Sequence, residues 1–121
     1  MIDYGVQIEP QFGYTWEMIR ETALAAEAAG FESLWASDHF FIRPEAVDVN
    51  CLEAWTVLTA VAVATKRLRV GAMVASQSYR NPALHAKMAA SLDHISGGRV
   101  YFGIGAGWKE VEYEAYDIPF P

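Results

Sequence analysis

The sequence has little of several features that would indicate particular classes of protein. Its single cysteine, Cys51, excludes an internal disulfide framework and favours a reducing cytoplasm. Nine lysines and arginines against fifteen acidic residues give a net charge of −6, and no basic run indicates a nucleic-acid partner. The longest strongly apolar stretch, 54–64, is shorter than the roughly 20 residues of a membrane helix, and the start carries no basic signal-peptide region. We therefore expect a cytoplasmic protein whose partners are small molecules or protein chains, with no membrane contact.

The common signatures of metal and dinucleotide sites are missing as well. His85 and His94 lie on one predicted helix, but their spacing is not that of a helical zinc pair, so we interpret them as surface or interface residues and predict no metal site. The run from Gly103 to Gly107 resembles a dinucleotide-binding fingerprint. The next glycine of that motif would fall at position 108, which is tryptophan, and this argues against a Rossmann domain.

Strand-like and helical patterns alternate along the whole chain. The predicted strands cover about 3–8, 31–36, 68–74 and 100–104, and the predicted helices about 15–29, 52–65 and 82–95. Thr15 and Asn81 are placed to cap two of the helices, and Gly30 is placed to end the first. The order β-α-β-α-β-α-β predicts an α/β fold with a parallel sheet. Four parallel strands suit a small doubly wound domain or half of an eight-stranded barrel, since a complete barrel takes about 250 residues.

Polar or small residues follow three of the predicted strands, at the end where α/β proteins bind their ligands. Asp38 and His39 follow the second strand; they are either a pair that handles protons or a capping aspartate beside a packed histidine. The third strand ends in the small, apolar run 71–76, which suits a bulge under a planar ring or an ordinary buried strand. The fourth ends in Gly105-Ala106-Gly107, where bare backbone lets a ligand approach.

Several segments, in their order and spacing, together resemble the bacterial luciferase-like superfamily, most closely its flavin- or coenzyme F420-dependent oxidoreductases. The matching segments are 29–35 with 37–39, Arg80-Asn81-Pro82 with 92–99, and 103–108 with Glu112-Tyr113 and Ile118-Pro119-Phe120-Pro121. The resemblance implies a TIM-type (β/α)₈ barrel with the cofactor at the carboxyl ends of the strands. This chain would supply the first four strands.

The resemblance also implies roles for individual residues. Asp38 and His39 match a loop that places polar groups against the cofactor ring, with His39 as the proton donor or acceptor and Asp38 as its catalytic partner. The cofactor-binding residues would be those at the ends of the second, third and fourth strands, with a cis peptide in the third: Asp38, Met73, Val74, Ser76, Gly105, Ala106, Gly107 and Trp108.

The activity implied by the resemblance is hydride transfer between coenzyme F420 and a small organic substrate. An FMN-dependent luciferase-like monooxygenase is the alternative. Sugar-phosphate dehydrogenases of this superfamily carry a glutamate shortly after the fourth-strand glycines, where this sequence has Ala106, and that activity is therefore disfavoured.

The length of the chain bears on all of these expectations. We expect residues 1–121 to form a single domain, the N-terminal half of a barrel, and to be truncated, because the cofactor phosphate in this superfamily is held mostly by the second half. A half-barrel would expose sheet edges and apolar surface. It would therefore form a homo-oligomer or pair with a missing C-terminal half. A non-catalytic self-associating module or a relic is the alternative of another class, and activity of this chain alone stays an open question.

Overall fold

The computed structural model describes residues 2–120, and in them strands and helices alternate as predicted. The strands are β1 (Gly5–Ile8), β2 (Ser33–Ala36), β3 (Arg69–Ala72), β4 (Ala75–Ser76), β5 (Val100–Tyr101) and β6 (Ile104–Gly105). The helices are α1 (Trp16–Ala28), α2 (Ala54–Ala64), α3 (Pro82–Ser96) and α4 (Glu110–Ala115), and a 3₁₀ turn spans Pro10–Phe12. Among these residues, no helix combines the length and apolar character that crossing a membrane requires.

Four strands form one parallel sheet in the order β1-β2-β3-β5. The register pairs Val6 with Leu34 and Leu34 with Val70, so the strands are aligned and end at a common edge. A second parallel pair, β4-β6, continues beyond that edge. The α/β fold with a parallel sheet is therefore confirmed, and the segments after β2, β4 and β6 lie at one end of it.

The third and fourth predicted strands are each broken into two. Strands were predicted over 68–74 and 100–104, with a bulge as one interpretation of 71–76. Met73 and Val74 lie between β3 and β4, in agreement with a bulge, and Phe102 and Gly103 lie between β5 and β6, where no break was predicted. Beyond the break β2 has ended, so the amide of Ala75 donates to Gly103 (2.9 Å) instead. The chain therefore moves from a four-stranded to a two-stranded sheet at this point.

The helix ends follow the predicted capping residues. The hydroxyl of Thr15 accepts from the amide of Met18 (3.3 Å), and the side chain of Asn81 accepts from the first amides of α3. These bonds satisfy backbone donors that have no partner within the helix. Gly30 follows α1 with a φ of +85°, a left-handed conformation that glycine adopts without strain.

The hydrophobic core lies between the sheet and the helices. Leu34 and Val70 on the strands pack with Leu58 and Val61 of α2, and all four are fully buried. Each such side chain contributes about 1.5–3 kcal/mol through its burial. Because strand side chains alternate, the residues between them lie on the opposite side of the sheet.

That opposite side is called the open face, and its residues are Gly5, Gln7, Ser33, Trp35, Arg69, Gly71 and Tyr101. The rings of Trp35 and Tyr101 stack with centroids 5.3 Å apart, and both are half-buried. Both residues lie close to Gly71, where a Cβ atom would be 2.6 Å from the carbonyl oxygen of Tyr101 and 2.9 Å from the ring of Trp35. Within residues 2–120, β1 and β5 each have a neighbouring strand on one side only, so both edges of the sheet are open.

Candidate functional site

A cavity of about 300 Å³ lies at the carboxyl ends of the strands. It is lined by Ser37, Asp38, His39, Met73, Val74, Ser76, Tyr79, Ala106, Gly107 and Trp108. The segments after β2, β3 and β6 meet here because parallel strands end at a common edge. The cavity thus brings together all the predicted site residues except Gly105, and it adds Ser37 and Tyr79, which the sequence did not single out.

Asp38 is held in a buried ion pair at the floor of this cavity. Both of its carboxylate oxygens accept from the guanidinium of Arg80, at 2.7 and 2.9 Å, and the amide of Ser76 donates to it at 3.0 Å. Arg80 also pairs with Glu53, the residue that caps α2. Burial by itself lowers the pKa of Arg80, but hydrogen bonds and charge from the two carboxylates outweigh it and raise the pKa. Asp38 therefore joins the segment after β2 to the segment after β4.

His39 lies beside Asp38 but has a different set of contacts. Its Nδ1 atom is 2.8 Å from Oε2 of Glu112, and its ring meets the edge of Trp108 at a centroid distance of 5.7 Å. The side chain is 18% exposed, toward the cavity that it lines. Its other ring nitrogen, Nε2, has no hydrogen-bond partner in the part of the chain that is described.

Glu112, on α4, is completely buried beneath the loop that carries His39. Its Oε1 accepts from the amides of Phe40 (2.7 Å) and Phe41 (3.2 Å), and its Oε2 accepts from the hydroxyl of Tyr79 (2.6 Å) as well as facing His39. Burial alone raises the pKa of Glu112, but the hydrogen bonds from His39, Tyr79 and the two amides outweigh it and lower the pKa to about 2. An ionised carboxylate is therefore enclosed at the base of the site.

Lys109 holds the same loop from a second direction. Its ammonium group donates to the carbonyls of Phe41 and, at 2.9 Å, of Ile42, and lies 3.5 Å from Oε1 of Glu112. One turn of α4 and the residue before it thus fix the segment after β2. We call the partnered polar side chains at this end of the sheet the strand-end network: Asp38, His39, Glu53, Tyr79, Arg80 and Glu112.

The apolar wall of the cavity comes from the break between β3 and β4. Met73 and Val74 are 45% and 49% exposed, which is unusual for large apolar side chains beside a sheet, and the peptide between them is cis. The expected cis peptide is therefore confirmed. Ala106 and Gly107 line the same cavity.

The glycines of the fourth strand end are required by the packing of the protein itself. Gly107 has a φ of +85°, and a Cβ atom there would collide with the hydroxyl of Tyr113 and lie 2.7 Å from the Oγ of Ser76. A Cβ atom on Gly105 would lie 2.6 Å from the side chain of Val74. Contacts within the chain thus account for these glycines, and Gly105 lies behind the cavity wall.

Tyr113 connects β4, through Ser76, with the segment after β6, through Ala106. Its hydroxyl is fully buried, lies 2.8 Å from the Oγ of Ser76 and donates to the carbonyl of Ala106 (3.1 Å). Ser76 therefore has a positioning contact as well as a place on the cavity surface.

Two further residues considered from the sequence, Cys51 and His85, do not line the cavity. The thiol of Cys51 donates to the carbonyl of His39 (3.3 Å); burial and the charge of Glu112 raise its pKa to about 11, so it is an unreactive thiol. The expectation of a surface position for His85 is wrong, because this residue is 2% exposed and packs against Trp55 and Phe102. Burial lowers its pKa. Across residues 2–120, no cluster of three or more potential ligands is placed to hold a metal ion.

The sequence identified the strand ends but missed the residues that organise them. Glu112, Tyr79 and Arg80 were not predicted as site residues; Glu112 and Arg80 were noted only within segments that carry the family resemblance. Glu112 contacts His39, which lies 73 positions earlier in the chain, and no local sequence pattern indicates such a contact. The one available signal is an acidic side chain next to an aromatic one in a short helix directly after a predicted ligand-binding strand end.

Relatives of known function resemble this chain over much of its length. F420-dependent glucose-6-phosphate dehydrogenase from Amycolatopsis mediterranei is 40% identical over 89 residues, which is 72% of this chain and 26% of that protein. The coenzyme F420-dependent tetrahydromethanopterin reductase from Methanopyrus kandleri has a similar structure, with a TM-score of 0.79 and 29% identity over 98% of this chain and 31% of that one.

A third similar protein has been solved in complex with FMN. The oxygenating constituent of 3,6-diketocamphane monooxygenase from Pseudomonas putida, solved with FMN, matches with a TM-score of 0.80 over 96% of this chain and 32% of that one, at 23% identity, and so shares the fold. The chain spans about a third or less of the length of these proteins, so its parallel sheet corresponds to part of their barrels.

The sequence model of one family matches almost the whole chain. It is that of the luciferase-like monooxygenases, and the match covers residues 3–121. The strand-end cavity and the parallel sheet agree with this assignment. The chain belongs to the luciferase-like monooxygenase family.

Proposed function

We propose that this chain forms the ring-binding part of the active site of an oxidoreductase that transfers a hydride between coenzyme F420 and a small organic substrate. The observation that carries the proposal is the strand-end cavity, in which an apolar wall faces a histidine with one unpartnered ring nitrogen. His39 keeps the proton-handling role predicted from the sequence, whereas the proposed role of Asp38 changes from catalytic partner to positioning residue. Asp38 holds the loop of His39 in place through Arg80.

The residues that line the cavity suit a planar heteroaromatic ring. Met73 and Val74 offer apolar surface, and Ala106 and Gly107 are small enough to leave room in the same cavity. Ser76 supplies a hydroxyl group. The volume of about 300 Å³ is at the lower end of the range for ligand cavities, enough for a ring system but not for a phosphate-bearing tail. We propose that the tail is held by a further part of the barrel, either a C-terminal half or a second copy of this chain.

When bound, F420 supplies the hydride donor or acceptor. A hydride that leaves a carbon bound to oxygen is accompanied by the loss of the hydroxyl proton, and His39 is positioned to take this proton at Nε2 or to return it in the reverse direction. The apolar side chains of Met73 and Val74 keep water from the reacting groups. Asp38 acts only through position, because its carboxylate is engaged by Arg80 and by the amide of Ser76.

F420 is preferred to FMN because two proteins that carry F420 in their names, the dehydrogenase and the reductase compared above, are 40% and 29% identical to this chain. A pyrimidine monooxygenase that is 36% identical over 108 residues favours the alternative. The FMN-bound monooxygenase is 23% identical and supports the shared fold only. A sugar-phosphate substrate is not proposed, even though one relative is a glucose-6-phosphate dehydrogenase, because Ala106 stands where the resemblance places a glutamate. An FMN-dependent monooxygenase is the alternative within the same class.

Titrating the purified chain with F420, its tail-free deazaflavin and FMN tests this proposal through absorbance and fluorescence. We expect both deazaflavins to bind and FMN to bind more weakly. Ala106→Phe, which fills the cavity, should weaken binding at least about tenfold, whereas Val63→Phe on the exposed side of α2 should not. Tight binding of FMN without binding of F420 would favour the FMN-dependent monooxygenase. No binding of any ring would contradict both the F420-dependent and the FMN-dependent activity.

The open sheet favours a second candidate, a non-catalytic module that associates with itself. Within residues 2–120, both edge strands are unpaired on one side, and the stacked rings of Trp35 and Tyr101 remain half-buried. Such edges promote pairing with another chain. Sedimentation velocity distinguishes the cases: a dimer that binds no ring would support the module, and a stable monomer that binds F420 would exclude it.

A further inference from the structure

Glu112 is the most completely enclosed acidic side chain of the strand-end network, and every group around its carboxylate is a donor. Two backbone amides reach Oε1, from Phe40 and Phe41, and the hydroxyl of Tyr79 reaches Oε2. The ammonium group of Lys109 lies 3.5 Å from Oε1. The remaining contact, at 2.8 Å, joins Oε2 to Nδ1 of His39.

The protonation of this pair follows from the hydrogen-bonding capacity of each group. An ionised carboxylate accepts hydrogen bonds and cannot donate one. The low pKa of Glu112 keeps the carboxylate ionised throughout the neutral range. A hydrogen bond between the two side chains therefore requires Nδ1 of His39 to carry the hydrogen.

In the neutral ring, the other nitrogen is then determined as well. A neutral imidazole has one N–H group, so a hydrogen on Nδ1 leaves Nε2 as a bare acceptor. Among residues 2–120 nothing bonds to Nε2, and it is not one of the buried unpartnered polar atoms, so it is reachable from the cavity that His39 lines.

We infer that Glu112 is a positioning residue that fixes His39 as the Nδ1–H tautomer and thereby presents Nε2 to the cavity as the proton acceptor. The role of Nε2 in turnover rests on the proposed function, whereas the choice of tautomer does not. Glu112 touches neither the cavity nor its contents, and it acts only through the ring that it orients.

Glu112→Gln is the variant that separates orientation from chemistry. The amides of Phe40 and Phe41 require an acceptor, so the glutamine oxygen replaces Oε1 and the NH₂ group faces His39. Nδ1 must then accept and Nε2 must carry the hydrogen, which inverts the tautomer while the shape of the side chain is preserved. If the proposed function holds, turnover falls about 100-fold or more while cofactor binding is unchanged, because a misplaced proton removes acid–base catalysis.

The test is ¹⁵N NMR of the three histidines in the ligand-free chain, with His39 assigned by its loss in His39→Gln. The expected spectrum of the unmodified chain shows His39 as Nδ1–H, Glu112→Gln shows Nε2–H, and Tyr79→Phe keeps Nδ1–H because it removes a single donor from Oε2. An Nε2–H signal in the unmodified chain overturns the inference even if Glu112→Gln does not fold. An unchanged tautomer in folded Glu112→Gln overturns it also.

The spectrum is recorded without cofactor, so its outcome is independent of the binding titration. An Nδ1–H tautomer in a chain that binds no ring would contradict the proposed function and leave the positioning role intact. An Nε2–H tautomer in a chain that binds F420 would contradict the positioning role and leave the binding part of the proposed function intact.

Discussion

The strand-end network and the open face lie on the same sheet, yet they differ in how their polar groups are satisfied. In the network, Asp38 and Glu112 are buried and each makes at least three polar contacts within the chain. On the open face, Arg69 and Glu32 form a partly exposed pair beside Tyr101. The buried carboxylates at the strand ends thus find their partners within this chain, whereas the sheet that supports them has open edges among the described residues.

The largest contrast between the two regions is expected from removing one member of an ion pair in each. Asp38→Ala leaves Arg80 buried with only Glu53 as a partner, and the free energy of unfolding should fall by about 3 kcal/mol. The control, Arg69→Ala on the open face, should cost about 1 kcal/mol or less, because exposed pairs contribute little. Urea denaturation measures both losses of unfolding free energy. Equal losses would contradict the greater importance of the buried ion pair.

A second prediction concerns the free energy of unfolding at acidic pH. Because the pKa of folded Glu112 lies near 2, below its usual 4.5, its contribution to stability is present above about pH 4.5 and is lost as the pH falls toward 2. The shift corresponds to roughly 3 kcal/mol. The difference in unfolding free energy between the unmodified chain and Glu112→Gln should therefore be constant near neutrality and shrink by this amount in acid.

Denaturation at a series of pH values measures this difference. Comparing the two proteins removes the effect of other carboxylates, such as Glu27 and Glu53, whose pKa values are also lowered. A difference that does not change with pH would mean that the Glu112 carboxylate is not stabilised in the folded chain.

A smaller effect distinguishes the two left-handed glycines Gly107 and Gly30. Both have a φ of +85°, but a Cβ atom at Gly30 meets open space, and one at Gly107 collides with Tyr113. Gly30→Ala should cost about 1 kcal/mol from backbone strain alone. Gly107→Ala should cost about 1–2 kcal/mol more through displacement of Tyr113.

Thermal unfolding of both alanine variants measures this difference, and Gly107→Ala combined with Tyr113→Phe should recover part of the extra loss. Equal losses in the two single variants would show that the site around Tyr113 has room to adjust.

The sequence allowed the frame of the site to be predicted because its signals are local. Strand periodicity and the capping residue Thr15 gave the order of the elements, and parallel strands place their ends together whatever the details of packing. Asp38, His39 and the run 71–76 were noted from their places after predicted strands, and the resemblance added their expected roles. Asp38, His39, Met73 and Val74 do line the cavity.

The rest of the site depends on contacts between distant parts of the chain. Arg80 reaches Asp38 across 42 positions and Glu112 reaches His39 across 73, and neither distance leaves a pattern in a single sequence. A bulge was one of the two interpretations of 71–76, so only the break at Phe102 and Gly103 was missed outright. Where each break falls depends on the neighbouring strand, since β2 ends at Ala36, and no local pattern shows where a neighbouring strand ends. Gly105 was predicted to face the cofactor, but its small size is explained by contact with Val74.

The central claim is that the strand-end cavity, and not the open face, receives the ring of a deazaflavin. Amide NMR of the labelled chain during titration with the tail-free deazaflavin tests it most directly. The amides of His39, Ser76 and Gly107 are expected to shift in a saturable manner while those of Trp35 and Tyr101 remain in place. Shifts centred on Trp35 and Tyr101, or none at saturating ligand, would contradict the claim.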